Sequence, residues 1–181
     1  MTDRTELRRL ADRLEIADLV ARYTRAIDRR ALHELREIYA PGGIDHHTGF
    51  DGDVEAYITW LTGLLPRLDG TLHVLGTHLA EVRGDVAVAE TSATARHWGT
   101  PADDPSRNFT SIVRYVDHLE RLDGRWRIRE RWAVRERAWS DAGRALPRTE
   151  VGPMPTMDDR DPATSLLARL RAGDLGEAAR G

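Results

Sequence analysis

Lysine, cysteine and glutamine are missing from this 181-residue chain, and asparagine occurs once, as Asn108. Each absence removes a chemistry. Without cysteine there is no disulfide, no thiolate nucleophile and no cysteine-ligated zinc. Without lysine there is no Schiff base, no covalently held pyridoxal phosphate and no P-loop lysine. All 27 basic residues are arginines, a bias that fits a GC-rich genome better than a ligand. No apolar run approaches the roughly 18 residues a membrane helix needs, and the opening "MTDRTELRRLADRLE" has no apolar core of a signal peptide. A net charge of -3 gives no reason to expect a nucleic-acid surface. A water-soluble cytoplasmic protein, with neither nucleic acid nor membrane as partner, is the expectation.

What is present has a clear order. Residues 5–29 carry an apolar helical stripe: Leu10, Leu14, Ile16, Leu19, Val20, Tyr23 and Ile27. A short helix is expected over 31–40, ending at Pro41–Gly43. "IDHHTGFDGD" reads as a short strand and turn. Asp53 can cap a third helix whose inner side holds Tyr57, Trp60, Leu61, Leu64 and Leu65. The period then changes to two. Strands are expected at 71–82, 86–98, 108–120 and 125–138, the last two joined by the hairpin turn "LDG". Helices first and long antiparallel strands afterwards predict an α+β fold, a curved sheet wrapped around helices. Residues 1–139 form one domain on this reading. Residues 140–181 form an irregular proline-rich extension, closed by a short helix with Asp161 as cap and Pro162 in its first turn.

Two residues carry the chemical interest. His73, in "TLHVLGTHLAEVRGD", sits among core-forming Leu72, Val74 and Leu75. Asp28 ends the first helix, where a carboxylate meets the unfavourable end of the helix dipole. Asp28 reads equally as a solvated carboxylate beside Arg29 and Arg30, or as one that orients a histidine and stabilises its imidazolium. "DHH" hints at a metal, but neighbouring strand residues face opposite ways, so only Asp45 and His47 converge; no metal site is expected. His78 falls on the face opposite His73 if the strand is unbroken. The arginines and glutamates of 125–137 suggest an ion-paired face or a subunit contact.

The order "RYTRAID", "TLHVLG", "VRGDVAVAET" and "VRYVDHLERLDGRWRI" resembles the SnoaL-like branch of the nuclear transport factor 2-like superfamily, over about residues 8–139. The resemblance implies a cone: a strongly curved antiparallel sheet and about three helices around an apolar pocket. Within the branch the chain looks most like the dehydratases, among them scytalone dehydratase, bile-acid 7α-dehydratase and hexachlorocyclohexane dehydrochlorinase. That likeness implies a dyad of Asp28 and His73, with Tyr23 and Arg131 as further catalytic groups. His97 and Asn108 match polar pocket residues, and Tyr39, Tyr57, Trp60 and Trp98 would line the core or cavity. Strict alternation groups Arg131 with Arg125, Arg127 and Arg129, against Trp126 and Ile128. Either a bulge turns it inward or it joins an outer arginine ladder.

The implied activity is cofactor-independent elimination of water from a small, largely apolar, oxygenated cyclic substrate. His73 would be the base, and Arg131 or His97 would assist the departing hydroxyl. Isomerisation, cyclisation or epoxide opening in the same pocket remains the alternative, as does a non-catalytic small-molecule carrier. A homo-oligomer is expected, trimer over dimer.

Overall fold

The structure, a computed structural model, describes residues 4–99, 108–140, 152, 160 and 162–175. The chain opens with α1 (Arg4–Asp28), a 3-10 turn at Leu32–Glu34 and α2 (Leu35–Ile38). β1 (Tyr39–His47) and β2 (Phe50–Asp53) follow, then α3 (Val54–Leu64). Four long strands come next: β3 (Leu68–Arg83), β4 (Val86–Gly99), β5 (Phe109–Leu122) and β6 (Arg125–Ser140). α4 (Pro162–Ala172) ends the described part. The proline-rich run before α4 and the cap expected at Asp161 lie outside the described residues.

Local chemistry explains the boundaries. Asp53 caps α3 by accepting from the Ala56 backbone N–H at 2.9 Å. Asp123 and Gly124 both have positive φ, 51° and 77°, the pair of left-handed residues that lets a two-residue turn match the twist of β5 and β6. On α1 the buried stripe runs Asp12, Ile16, Leu19, Val20, Tyr23 and Ile27. Leu10 and Leu14 fall off it and are 51% and 71% exposed, contrary to the sequence reading. The reason is polar. The first half of α1 meets the sheet through Asp12, paired with Arg121 at 2.7 Å, and Glu15, which accepts from the Trp126 backbone N–H at 3.0 Å.

The six strands form one sheet in the order β2-β1-β6-β5-β4-β3. All neighbours are antiparallel except β1 and β6, which run parallel. The curved sheet does not close on itself, and α1, α2 and α3 fill its concave side. The core lies there: Ile16, Leu19, Tyr23, Leu35, Leu61, Leu119 and Ile128 are all at most 3% exposed. The convex side is an ion-paired surface, with Arg114 bridging Glu90 and Glu136 at 3.0 Å each and Arg129 paired to Glu120 at 2.9 Å. α4 covers part of that side. Its Leu166 and Leu170, with Leu175 beyond, pack on Val88, Val116 and Val134, and Arg83 donates to the carbonyls of Leu170 and Arg171 at 3.0 and 2.9 Å.

Two bulges decide which side chains enter the cone. On β6 the pairing to β5 shifts between His118 and Leu119, so that Asp117 opposes Arg131 while Leu119 opposes Ile128. Arg129 is the extra residue in that step. Trp126 and Ile128 face inward before it; Arg131 and Ala133 face inward after it, all at most 1% exposed. The bulge alternative for Arg131 is therefore the one the chain adopts. On β3 the pairing to β4 shifts between Leu75 and His78. His78 consequently shares the inner face with His73, not the opposite one, and hydrogen-bonds Thr91 at 2.7 Å.

Candidate active site

The end of α1 and the first half of β3 meet through one carboxylate. Asp28 Oδ1 lies 2.7 Å from His73 Nδ1 and accepts from Thr71 Oγ1 at 2.8 Å, and Oδ2 accepts from the His73 backbone N–H at 2.9 Å. An aspartate at a helix C-terminus is unfavourable in isolation; here three donors from β3 hold it. Burial pushes the Asp28 carboxyl up, but these hydrogen bonds and the nearby imidazole outweigh it and hold the group below the ordinary aspartate range. An ionised Asp28 at 2.7 Å requires the proton on His73 Nδ1. That leaves Nε2 as a lone pair, and His73 lines the cavity.

The cavity has a volume of about 320 Å³, within the range usual for small-molecule sites. Its walls are mostly apolar, from Ile27, Leu61, Leu64, Val113 and the rings of Trp60 and Phe109. The polar groups at the wall are Tyr23, His47, Tyr57, His73, His97, Ser111 and Arg135, together with Thr48 and Tyr115. Tyr23 and Tyr57 share a hydrogen bond of 2.7 Å. Burial, with the carboxylate of Asp45 nearby, raises Tyr23 well above an ordinary phenol, so it stays protonated and can donate. His97 stacks on Phe109 with ring centres 4.2 Å apart and meets His73 edge-on at 6.0 Å. Burial, and the neighbouring His73 and His47, lower its pKa to about 4, so His97 is neutral near pH 7.

Of the residues expected from the sequence, Tyr23, Asp28, Tyr57, Trp60, His73 and His97 come together at or beside this cavity. Four do not form its wall. Arg131 is fully buried behind it, bound to Asp117 at 2.6 and 2.7 Å and lying over the rings of Tyr23 and Tyr115 at 3.9 and 4.6 Å. It supports the wall and does not face the ligand space. Tyr39 is buried against Asp45, to which it donates. Asn108 accepts from the Gly99 backbone N–H at 2.8 Å and closes the end of β4. Trp98 is 38% exposed and folds over Gly70, where even a methyl group would collide with the indole at 2.4 Å. The sequence reading missed Ser111 and Arg135. Ser111 faces inward by plain alternation with Val113 and Tyr115 on β5, whereas the inward direction of Arg135 depends on the bulge at Arg129, which leaves no mark in hydrophobic alternation.

Among the described residues no cluster of three or more histidines and carboxylates with metal-binding geometry occurs, and no helix is long and apolar enough to cross a membrane.

A curved sheet, helices on its concave side and a cavity holding an Asp–His pair define an α+β cone of the nuclear transport factor 2-like class. The chain belongs to the SnoaL-like domain family, which it matches over residues 8–132. Solved structures share the fold at low identity. A proposed scytalone dehydratase of Novosphingobium aromaticivorans superposes with a TM-score of 0.66 at 18% identity, covering 80% of this chain and 97% of that one. The hexachlorocyclohexane dehydrochlorinase LinA-type3 of Novosphingobium barchaimii gives 0.67 at 20% identity, covering 78% and 99%. An uncharacterized protein of Mycobacterium tuberculosis is 35% identical over 81 residues, 43% of this chain and 55% of that protein. The chain thus spans about half the length of the curated relatives it matches.

Proposed function

We propose that this protein is a cofactor-independent lyase that eliminates water from a small, largely apolar, oxygenated cyclic compound by general acid–base chemistry. The observation that carries the reading is the Asp28–His73 contact. One ring nitrogen is tied to a carboxylate at 2.7 Å, and the other is free at the wall of an apolar cavity. His73 Nε2 takes a proton from the carbon next to a carbonyl. Asp28 stabilises the imidazolium that results. Tyr23, a buried and protonated phenol, donates to the carbonyl oxygen as it gains charge. Likeness to a proposed scytalone dehydratase and to a dehydrochlorinase supports elimination as the reaction class. An oriented base also sets the site apart from a simple carrier, which has no use for one. A double-bond shift needs the same first step and is the second reading, because Tyr23 stabilises an enolate whichever way it collapses.

The test is a panel of β-hydroxy ketones with one or two rings, followed by the ultraviolet absorbance of the enone. Turnover by the wild type that falls at least about 10²-fold in His73→Ala supports the reading. Turnover that His73→Ala leaves unchanged rejects it. A working location in the cytoplasm and assembly into a homo-oligomer, trimer over dimer, belong to the same proposal. Light scattering that reports a monomer of 20.4 kDa in dilute solution would remove the second.

A further inference from the structure

Elimination needs two proton transfers, one from carbon and one to the leaving hydroxyl. His73 supplies the first. Neither group expected to assist the departing hydroxyl supplies the second. Arg131 is locked to Asp117 behind the wall. His97 is held neutral by burial near pH 7.

A third imidazole reaches the same cavity from the far side of the sheet order. His47, the last residue of β1, lines the cavity wall with its side chain 26% exposed. Its Nδ1 lies 3.3 Å from Asp45 Oδ1. Asp45 is fully buried, and its Oδ2 accepts from Tyr39. Its Oδ1 has no partner in hydrogen-bond geometry among the described residues. The buried charges around it do not balance. Arg131 and Asp117 neutralise each other in a two-pronged pair, and Asp45 is left with a negative charge whose free oxygen faces His47. The two are close without hydrogen-bond geometry, and the field of the carboxylate favours the tautomer with the proton on Nδ1. The hydrogen bond of that nitrogen is with the Tyr57 hydroxyl at 3.4 Å; with the proton on Nδ1 the hydroxyl accepts there and donates onward to Tyr23 at 2.7 Å. The Tyr23 proton is then free for the cavity.

We propose that His47, oriented by Asp45, is the general acid that protonates the departing hydroxyl, so that the cavity holds two Asp–His pairs with opposite tasks. This rests on the dehydration reading above. In the step, His73 Nε2 accepts the proton from the α-carbon, and the C–H electron pair becomes the new C=C bond. The C–O bond breaks, and its oxygen takes the Nε2 proton of the His47 imidazolium and leaves as water. His73 ends protonated and His47 neutral, and exchange with solvent restores both.

The experiment uses the full chain. Long-range proton–nitrogen NMR first reads the His47 ring. A proton on Nδ1 of wild-type His47, lost or shared between nitrogens in Asp45→Asn while the His73 ring signals stay in place, supports the pair. A His47 ring indifferent to Asp45→Asn overturns it. The unmoved His73 signals also certify that the variant is folded. Elimination is then compared for β-hydroxycyclohexanone and its O-acetate, because acetate leaves without needing a proton. In His47→Gln the ratio of hydroxyl to acetate elimination falls at least about tenfold. A ratio within about twofold of wild type sinks the role of His47 and leaves the Asp28–His73 dyad standing. A His73→Ala chain as active as wild type on both probes sinks the dyad reading instead.

Discussion

Asp28–His73 and Asp117–Arg131 each set a carboxylate against a nitrogen-bearing side chain inside one cone, and they differ in what their surroundings permit. The side chains of Asp28 and His73 are 11% and 7% exposed, at the wall of a cavity. Those of Asp117 and Arg131 are 0% exposed, sealed between Tyr23, Tyr115 and the sheet. In the first, one nitrogen is held and one is available. In the second, both carboxylate oxygens are used and the guanidinium faces only rings and strand. A buried carboxylate contact becomes chemically useful when its partner retains a free valence facing a space that a substrate can enter. Without that space it only holds the wall in place.

Breaking the sealed pair should give the largest effect. Arg131→Ala leaves Asp117 buried and unpaired and should cost about 3–5 kcal/mol of stability, read by denaturant unfolding. Replacing both partners with Asp117→Leu and Arg131→Met should recover most of that loss. If Arg131→Ala unfolds like wild type, the pair does not support the wall. Asp28→Asn retains an acceptor for Thr71 and should cost less than about 2 kcal/mol in the same assay. Its effect belongs in catalysis. Turnover should drop about 10²-fold or more, His73→Ala should do at least as much, and the double variant should be little worse than His73→Ala alone.

Acid sharpens the contrast. His97 titrates at about 4 in the fold and near 6.5 when unfolded. Between those values the unfolded chain binds a proton that the folded chain refuses, so stability falls as pH drops, by at most about 3 kcal/mol. His97→Phe should flatten the stability curve over that window. Asp28 is lowered in the fold, so its contribution is present above the ordinary aspartate pKa and is lost as pH falls through and below that range. Asp28→Asn should therefore act at lower pH than His97→Phe. Coincident pH profiles for the two variants would contradict this separation. The smallest effect should come from outside the cone: Leu166→Ala on α4 should cost about 2 kcal/mol in thermal or denaturant unfolding and leave the His73 ring signals unmoved.

Local rules made much of the fold legible in the sequence. The cap at Asp53, the turn at Asp123–Gly124 and the alternation of β4 each depend on a few neighbouring residues. Asp28 and His73 were legible only through the order of motifs. Nothing near Asp28 announces three donors from a strand far along the chain. The rest depends on pairing between distant segments. That β1 lies parallel to β6, and that Gly43 must lack a side chain because the Ile128 carbonyl sits 2.9 Å from where its Cβ would be, follow from contacts no local window contains. Arg131, Arg135 and His78 were misplaced or left open for one reason. Alternation counts in twos, and a bulge adds one.

A strand with a bulge behaves like a message with a shift in its reading frame. Upstream of Arg129, β6 spells the interior with even-numbered residues, and downstream with odd-numbered ones, until the next shift between Arg135 and Arg137 restores the first parity. Matching such a strand to a relative without a gap can put every residue in the right place along the chain and on the wrong side of the sheet. Inheritance of a catalytic role along β6 is therefore a question of frame before it is one of residue identity. Deleting Arg129 would restore plain alternation and leave Arg131, Ala133 and Arg135 inside, opposite Asp117, Tyr115 and Val113.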